Sequence, residues 1–115
     1  MGGLRLIDVK AGLANMNDDE ELWRDMLIIY KKSLPLLLDS LGSRLVNKQY
    51  DEYIAEVHGL KSNAALIGAY ELSEDAKKCE FAGKEKNFEY IDSNTEALIN
   101  DFNELLNEID LLLVN

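Results

Sequence analysis

Apolar side chains recur along this chain in alternating steps of three and four residues, the period of one face of an α-helix. The longest stretch opens at Asn17-Asp18-Asp19-Glu20, which predicts a helix start with Asn17 as N-cap and acids in the first turn. It carries Trp23, Leu27, Tyr30, Leu34, Leu37, Leu41 and Leu45, and Leu22, Met26, Ile29 and Leu36 widen the stripe. Pro35 removes a backbone donor and predicts a kink. The stripe keeps its phase across it, so one kinked helix to about Val46 is expected. After a polar connector, Asn47-Lys48-Gln49, a second stripe runs through Tyr50, Tyr53, Val57, Leu60, Ala64 and Ile67 to a break at Gly68. A third, on Leu72, Ala76, Cys79 and Ala82, predicts a helix stopped by Gly83. The last, capped by Asn87, runs from Phe88 through Ile91, Thr95, Leu98, Phe102, Leu105 and Ile109 to Leu112. Leu6 to Met16 is weakly patterned and reads as one or two helical turns, with Asp8 able to cap them. No alternation of strand type competes. The fold class predicted is all-α, an antiparallel four-helix bundle with a short additional N-terminal helix.

Length and charge narrow the picture. At 115 residues the chain fits one domain, taken as residues 6–115, with 1–5 (Met1-Gly2-Gly3-Leu4-Arg5) read as a frayed start or an expression scar. A formal charge of −10 argues against nucleic acid, whose phosphates need a basic face, and against direct contact with anionic membranes. One cysteine, Cys79, excludes an internal disulfide. With no apolar run of membrane length and no signal-peptide layout, a cytoplasmic, monomeric domain is expected.

Candidate chemistry concentrates around the single histidine, His58. At about 100° per residue, His58 lies roughly 130° from the centre of its helix's apolar stripe and faces outward. Gly59, Ser62 and Ala65 around it are small, Ile54 one turn before it is apolar, and Lys61 lies three residues on. A free imidazole titrates at about 6.5 and is a competent nucleophile near neutrality. A phosphoryl group on it would lie near the Lys61 ammonium, an attraction of roughly 4 kcal/mol at an effective dielectric of 20, cut by exposure to about 1 kcal/mol or less. No glycine-rich phosphate loop and no magnesium-binding acid pair accompany it. Metal binding by a Glu-x-x-His pair is unsupported, because Ala55 lies three before His58 and there is no second histidine. Cys79, on an apolar stripe, reads as a core residue. Glu80 reads equally as a solvated or ion-paired helix residue and as a member of the site.

The run His58-Gly59-Leu60-Lys61-Ser62, followed by Ile67-Gly68-Ala69, Leu72 and Cys79-Glu80, resembles the histidine-containing phosphotransfer (HPt) family. Its pattern is H-x-L-K-[GS], a glycine ten positions after the histidine, and a leucine-rich helix ending near a glutamate. Ser62 departs from the commoner glycine. The likeness extends from the short first helix to the closing one.

The resemblance implies that His58 accepts a phosphoryl group from, and returns it to, an aspartate of a response-regulator receiver domain, in a phosphorelay with a sensor or hybrid histidine kinase. Lys61 would stabilise the phosphoryl oxygens. Gly68 would let helices pack closely under the site, and Ile54 and Ala65 would belong to the docking surface. The domain would hold no cofactor or metal of its own and would not be a self-sufficient kinase; Mg²⁺ and the catalytic aspartate would come from the receiver. Two alternatives stand beside this. One is an interaction module that no longer transfers phosphate, against which the presence of His58 argues. The other is direct phosphorylation by an associated kinase's ATP-binding domain.

Overall fold

The computed structural model describes residues 4–114, and these form five helices: α1 Val9–Ala14, α2 Glu20–Val46, α3 Tyr50–Leu66, α4 Tyr70–Lys84 and α5 Phe88–Leu113. Helices α2 to α5 close a bundle in which consecutive helices touch and α5 returns to α2. The Lys31–Asp110 ion pair at 2.8 Å joins the N-terminal half of α2 to the end of α5, so these two run antiparallel. Arg24 donates to the carbonyls of Leu112 and Leu113, satisfying two orphan acceptors at the C-terminus of α5.

The three- and four-residue steps bury most of the side chains they predict on α3 and α5, including Tyr53, Val57, Leu60, Phe102, Leu105 and Ile109, while Tyr50, Phe88 and Leu112 near the helix ends are half-buried. Thr95, the polar break in the α5 stripe, is buried and satisfied: it receives the Tyr53 hydroxyl at 2.7 Å and donates to the Ile91 carbonyl. On α2 the stripe steps from Leu34 to Leu38 and Leu41, not through Leu37, which is half-buried. Leu22, Ile29 and Leu36 do not widen it. Leu36 is 72% exposed, because α2 packs against α3 and α5 and turns its remaining face to solvent. One helix does run through Pro35.

Two boundaries differ from those predicted. Asn17 does not cap α2. Asn17 and Asp18 both adopt left-handed backbone, φ 55° and 59°, which short polar side chains tolerate best. Asp19 caps instead, accepting from the Leu22 amide at 3.0 Å. Gly83 does not stop α4. It lies inside the last turn, where a Cβ would come within 2.6 Å of Ile54 Cγ1, so its missing side chain seats α3 against α4.

The connectors after α2, α3 and α4 share one construction: three residues with the middle one left-handed, namely Lys48 (φ 56°), Gly68 (φ 97°) and Lys86 (φ 59°). In each, the residue after the left-handed one donates back to the helix it leaves: Gln49 to Arg44, Ala69 to Ala64 and Asn87 to Ala82, all at 2.8 Å. Only the middle turn uses glycine, and its surroundings require one. A Cβ on Gly68 would lie 2.3 Å from the Asp8 carbonyl oxygen and 2.9 Å from the Gly12 amide. Gly68→Ala is therefore expected to lower stability by about 2–4 kcal/mol in urea unfolding. Lys48→Gly and Lys86→Gly, at exposed positions with the same handedness, are expected to raise it by about 0.5–1 kcal/mol.

The N-terminal segment lies over this turn. Asp8 donates its amide to the Gly68 carbonyl at 3.0 Å and caps α1 by accepting from Ala11. Residues 1–3 lie outside the described residues, but Arg5, counted above with a frayed start, is tied down. Its side chain pairs with Glu104, and the amides of Arg5, Leu6 and Ile7 all donate to the buried Glu108 carboxylate at 2.9 Å.

Candidate functional site

The hairpin of α3 and α4 brings together four side chains. His58 faces outward, as the periodicity predicts, with 56% of its side chain exposed. Its Nδ1 lies 2.7 Å from Oε2 of Glu80, whose side chain is 2% exposed. Lys61 Nζ donates to Glu80 Oε1 at 2.7 Å, and Lys84 Nζ, one turn beyond Glu80 on α4, lies 3.0 Å from Oε2. The Lys61 ammonium thus does not rest on the imidazole edge. The Glu80 carboxylate stands between the two and holds both. Ser73 donates to the Lys61 carbonyl at 2.8 Å, a further tie between the two helices at this level.

Burial pushes the Glu80 carboxyl upward, but hydrogen bonds from Lys61, Lys84 and His58 outweigh it and hold the group down at about 2. Glu80 is therefore ionised throughout the physiological range and can only accept. The hydrogen between it and His58 belongs to Nδ1. In the neutral ring this leaves Nε2 unprotonated, with its lone pair directed away from Glu80. Among the described residues Nε2 has no hydrogen-bond partner.

The small residues around His58 differ in what they do. A Cβ on Gly59 would meet nothing within 4 Å, so the ground beside the imidazole is open. Ser62 is exposed and Ala65 half-buried. Ile54 is half-buried and packs over Gly83. Gly68 is not beneath the imidazole: it lies at the far end of the hairpin, holding the N-terminal segment. Sequence reasoning left Glu80 undecided and missed Lys84. The available signal was the i,i+4 spacing of the two, on the side of α4 where Ala76 and Gly83 leave room for α3.

Cys79 is buried in the core and burial pushes its thiol up, which suits an inert packing residue. Among the described residues no group of three or more His, Cys, Asp or Glu side chains is placed to hold a metal ion. No helix there is long and apolar enough to cross a membrane.

A lone outward imidazole, oriented by a buried carboxylate on a helical bundle, is the arrangement a phosphoryl carrier needs, and a family model described as Hpt domain matches residues 25–113. The chain belongs to the Hpt domain family. Neither a curated protein nor a solved structure gives a significant match. As an Hpt domain the chain is a histidine phosphotransfer module of two-component signalling. The matched stretch takes in most of α2 and all of α3, α4 and α5, and begins after α1. Everything that meets at Glu80 lies inside it.

Proposed function

We propose that His58 is the phosphoryl carrier of this Hpt domain and that its Nε2 is the atom phosphorylated. One observation carries the reading: Nδ1 is committed to an ionised, buried Glu80 while Nε2 stands free at an exposed position. The Nε2 lone pair attacks the phosphorus of an aspartyl phosphate on a receiver domain. The N–P bond forms as the P–O bond to the aspartate breaks, and the aspartate leaves as a carboxylate. No proton moves, because Nε2 carries none and Nδ1 keeps its own. Positive charge that develops on the ring is stabilised by Glu80 at 2.7 Å, and the reverse step returns the group along the same path.

Lys61 and Lys84 supply the cations. Each is paired at rest with Glu80, the carboxylate that also holds the imidazole, and turns toward phosphoryl oxygens when these arrive. Mg²⁺ and the acceptor aspartate belong to the partner, so the domain works as a shuttle and not as a self-sufficient kinase. A kinase ATP-binding domain, if it is the donor, would use the same nitrogen.

The test is transfer from a phosphorylated receiver with Mg²⁺. The expected product is acid-labile and base-stable, with ³¹P–¹⁵N coupling to Nε2; phosphorus on Nδ1 or on another side chain would sink the assignment. Lys61→Ala is expected to slow transfer or shorten the phosphohistidine lifetime about two- to fivefold, as suits an ammonium whose charge is partly screened. An unaltered rate and lifetime would remove Lys61 from the site.

A further inference from the structure

The face of α4 that meets α3 is a single row. Ser73, Ala76, Glu80 and Gly83 follow one another in helical steps of three and four residues, and all four are buried. Gly83 leaves room for Ile54, and Glu80 holds His58 and Lys61. Ser73 reaches Lys61 as well, but at the main chain: its hydroxyl donates to the Lys61 carbonyl at 2.8 Å. Lys61 is thus gripped from α4 at two points, its carbonyl by Ser73 and its ammonium by Glu80.

Neither helix needs this bond to satisfy its own polar groups. Lys61 lies inside α3, where its carbonyl already belongs to the helical ladder. A serine within a helix can also return its proton to the carbonyl one turn before it. Crossing to α3 therefore contributes position, not satisfaction. Ser73 and Glu80 stand seven residues apart, about 10 Å along the axis of α4 and some 20° around it. A fixed point at Ser73 accordingly sets the height and rotation at which the Glu80 carboxylate meets His58. Ala76 and Gly83, the apolar members of the row, pack without direction and fix no height.

The fixed point matters most during transfer. At rest the bond from the Lys61 ammonium to Glu80 helps to tie the two helices. That tie is given up when the ammonium turns to phosphoryl oxygens. The Ser73 bond ends on the main chain of Lys61 and is indifferent to where the side chain points. We propose that Ser73 is a positioning residue for phosphoryl transfer, a pin that holds α4 in register with α3 so that Glu80 keeps Nδ1 of His58 while the Lys61 ammonium changes partner. The inference rests on the carrier reading above and extends it to a side chain that touches none of the reacting groups.

The experiment compares wild type, Ser73→Ala, Glu80→Gln and the double variant. The first readout is the pair of ¹⁵N shifts of the His58 ring in the unphosphorylated protein at about pH 8.5, where a free imidazole is neutral. The others are kcat and KM for transfer from a phosphorylated receiver, and the melting temperature. In Ser73→Ala the two ring shifts are expected to move toward each other as the ring samples both tautomers. Its kcat is expected to fall about three- to tenfold, with KM within about twofold of wild type and melting lowered by about 4 °C or less. In the Glu80→Gln background, loss of the Ser73 hydroxyl is expected to change neither the ring shifts nor kcat further, because the carboxylate that it positions is gone. Ring shifts and kcat unaltered in Ser73→Ala, with or without a lowered melt, would overturn the pin. So would a loss that adds in full to that of Glu80→Gln. Wild-type protein that the phosphorylated receiver fails to label would overturn the carrier reading, while the ring shifts would still decide whether Ser73 positions Glu80.

Discussion

His58→Gln is expected to bring labelling by phosphorylated receiver to background while the domain stays folded. The loss is complete because the chain has no second histidine and glutamine offers no ring nitrogen with a free lone pair. The fold survives because His58 is mostly exposed and its one hydrogen bond is to a carboxylate that keeps two further partners, Lys61 and Lys84. Loss of one such bond on a partly solvated group costs about 1 kcal/mol, which in a domain of this size lowers Tm by roughly 4 °C. The paired readouts are label incorporation and circular-dichroism melting. Label surviving in the variant would refute the assignment, and a collapsed melt would show that His58 is structural.

The second large effect belongs to Glu80. Its folded-state value, about 2, lies below the ordinary 4.5, so the ionised form is bound more tightly in the folded protein than in the unfolded chain. The stabilisation is present in full above the unfolded value and is lost as pH falls from about 4.5 toward 2. At 1.36 kcal/mol per pH unit this amounts to about 3 kcal/mol at neutral pH. Glu80→Gln keeps the shape but removes the charge that holds two ammonium groups and one imidazole N–H. Urea unfolding is expected to show the variant about 2–3 kcal/mol less stable at pH 7, with the gap closing between pH 4.5 and 2. A gap of constant size over that range would mean that the carboxylate acts by packing alone. Transfer should slow as well, since a neutral amide can accept from Nδ1 or donate to it and no longer fixes which ring nitrogen is free.

The sequence carried the helices and the outward face of His58, and it did not carry the partner across from it. Periodicity reports which side of one helix is buried, and Tyr53, Val57, Leu60, Leu98, Phe102 and Leu105 are buried where it places them. It says nothing of how two helices are rotated against each other, and that rotation is what sets Glu80 against His58 and Lys61. The stripe on α4 is also made of small residues, so its direction is weakly marked. Gly83 is the instructive misreading. A glycine near a helix end commonly marks the stop, but here the stop is made by Lys86 in left-handed backbone and the glycine is spent on contact with Ile54. Gly68 fills both roles at once, positive φ and close approach, and its identification as the break of α3 holds for that reason. The extended tie of Arg5, Leu6 and Ile7 to Glu108 left no trace in the pattern, because backbone amides donate whatever the side chain.

The three-residue connection between α3 and α4 bears on how the site comes into being during folding. His58, Lys61, Glu80 and Lys84 all belong to one helical hairpin, so bringing them together requires closing only a short loop. Loop-closure entropy rises with the logarithm of loop length, and topologies dominated by local contacts fold fastest. The hairpin can therefore assemble the ion cluster before α2 and α5 have met across the bundle, whose contacts join residues some eighty positions apart. A kinetic corollary is that substitutions in the cluster should slow refolding, whereas those at the Lys31–Asp110 contact should act on the unfolding rate.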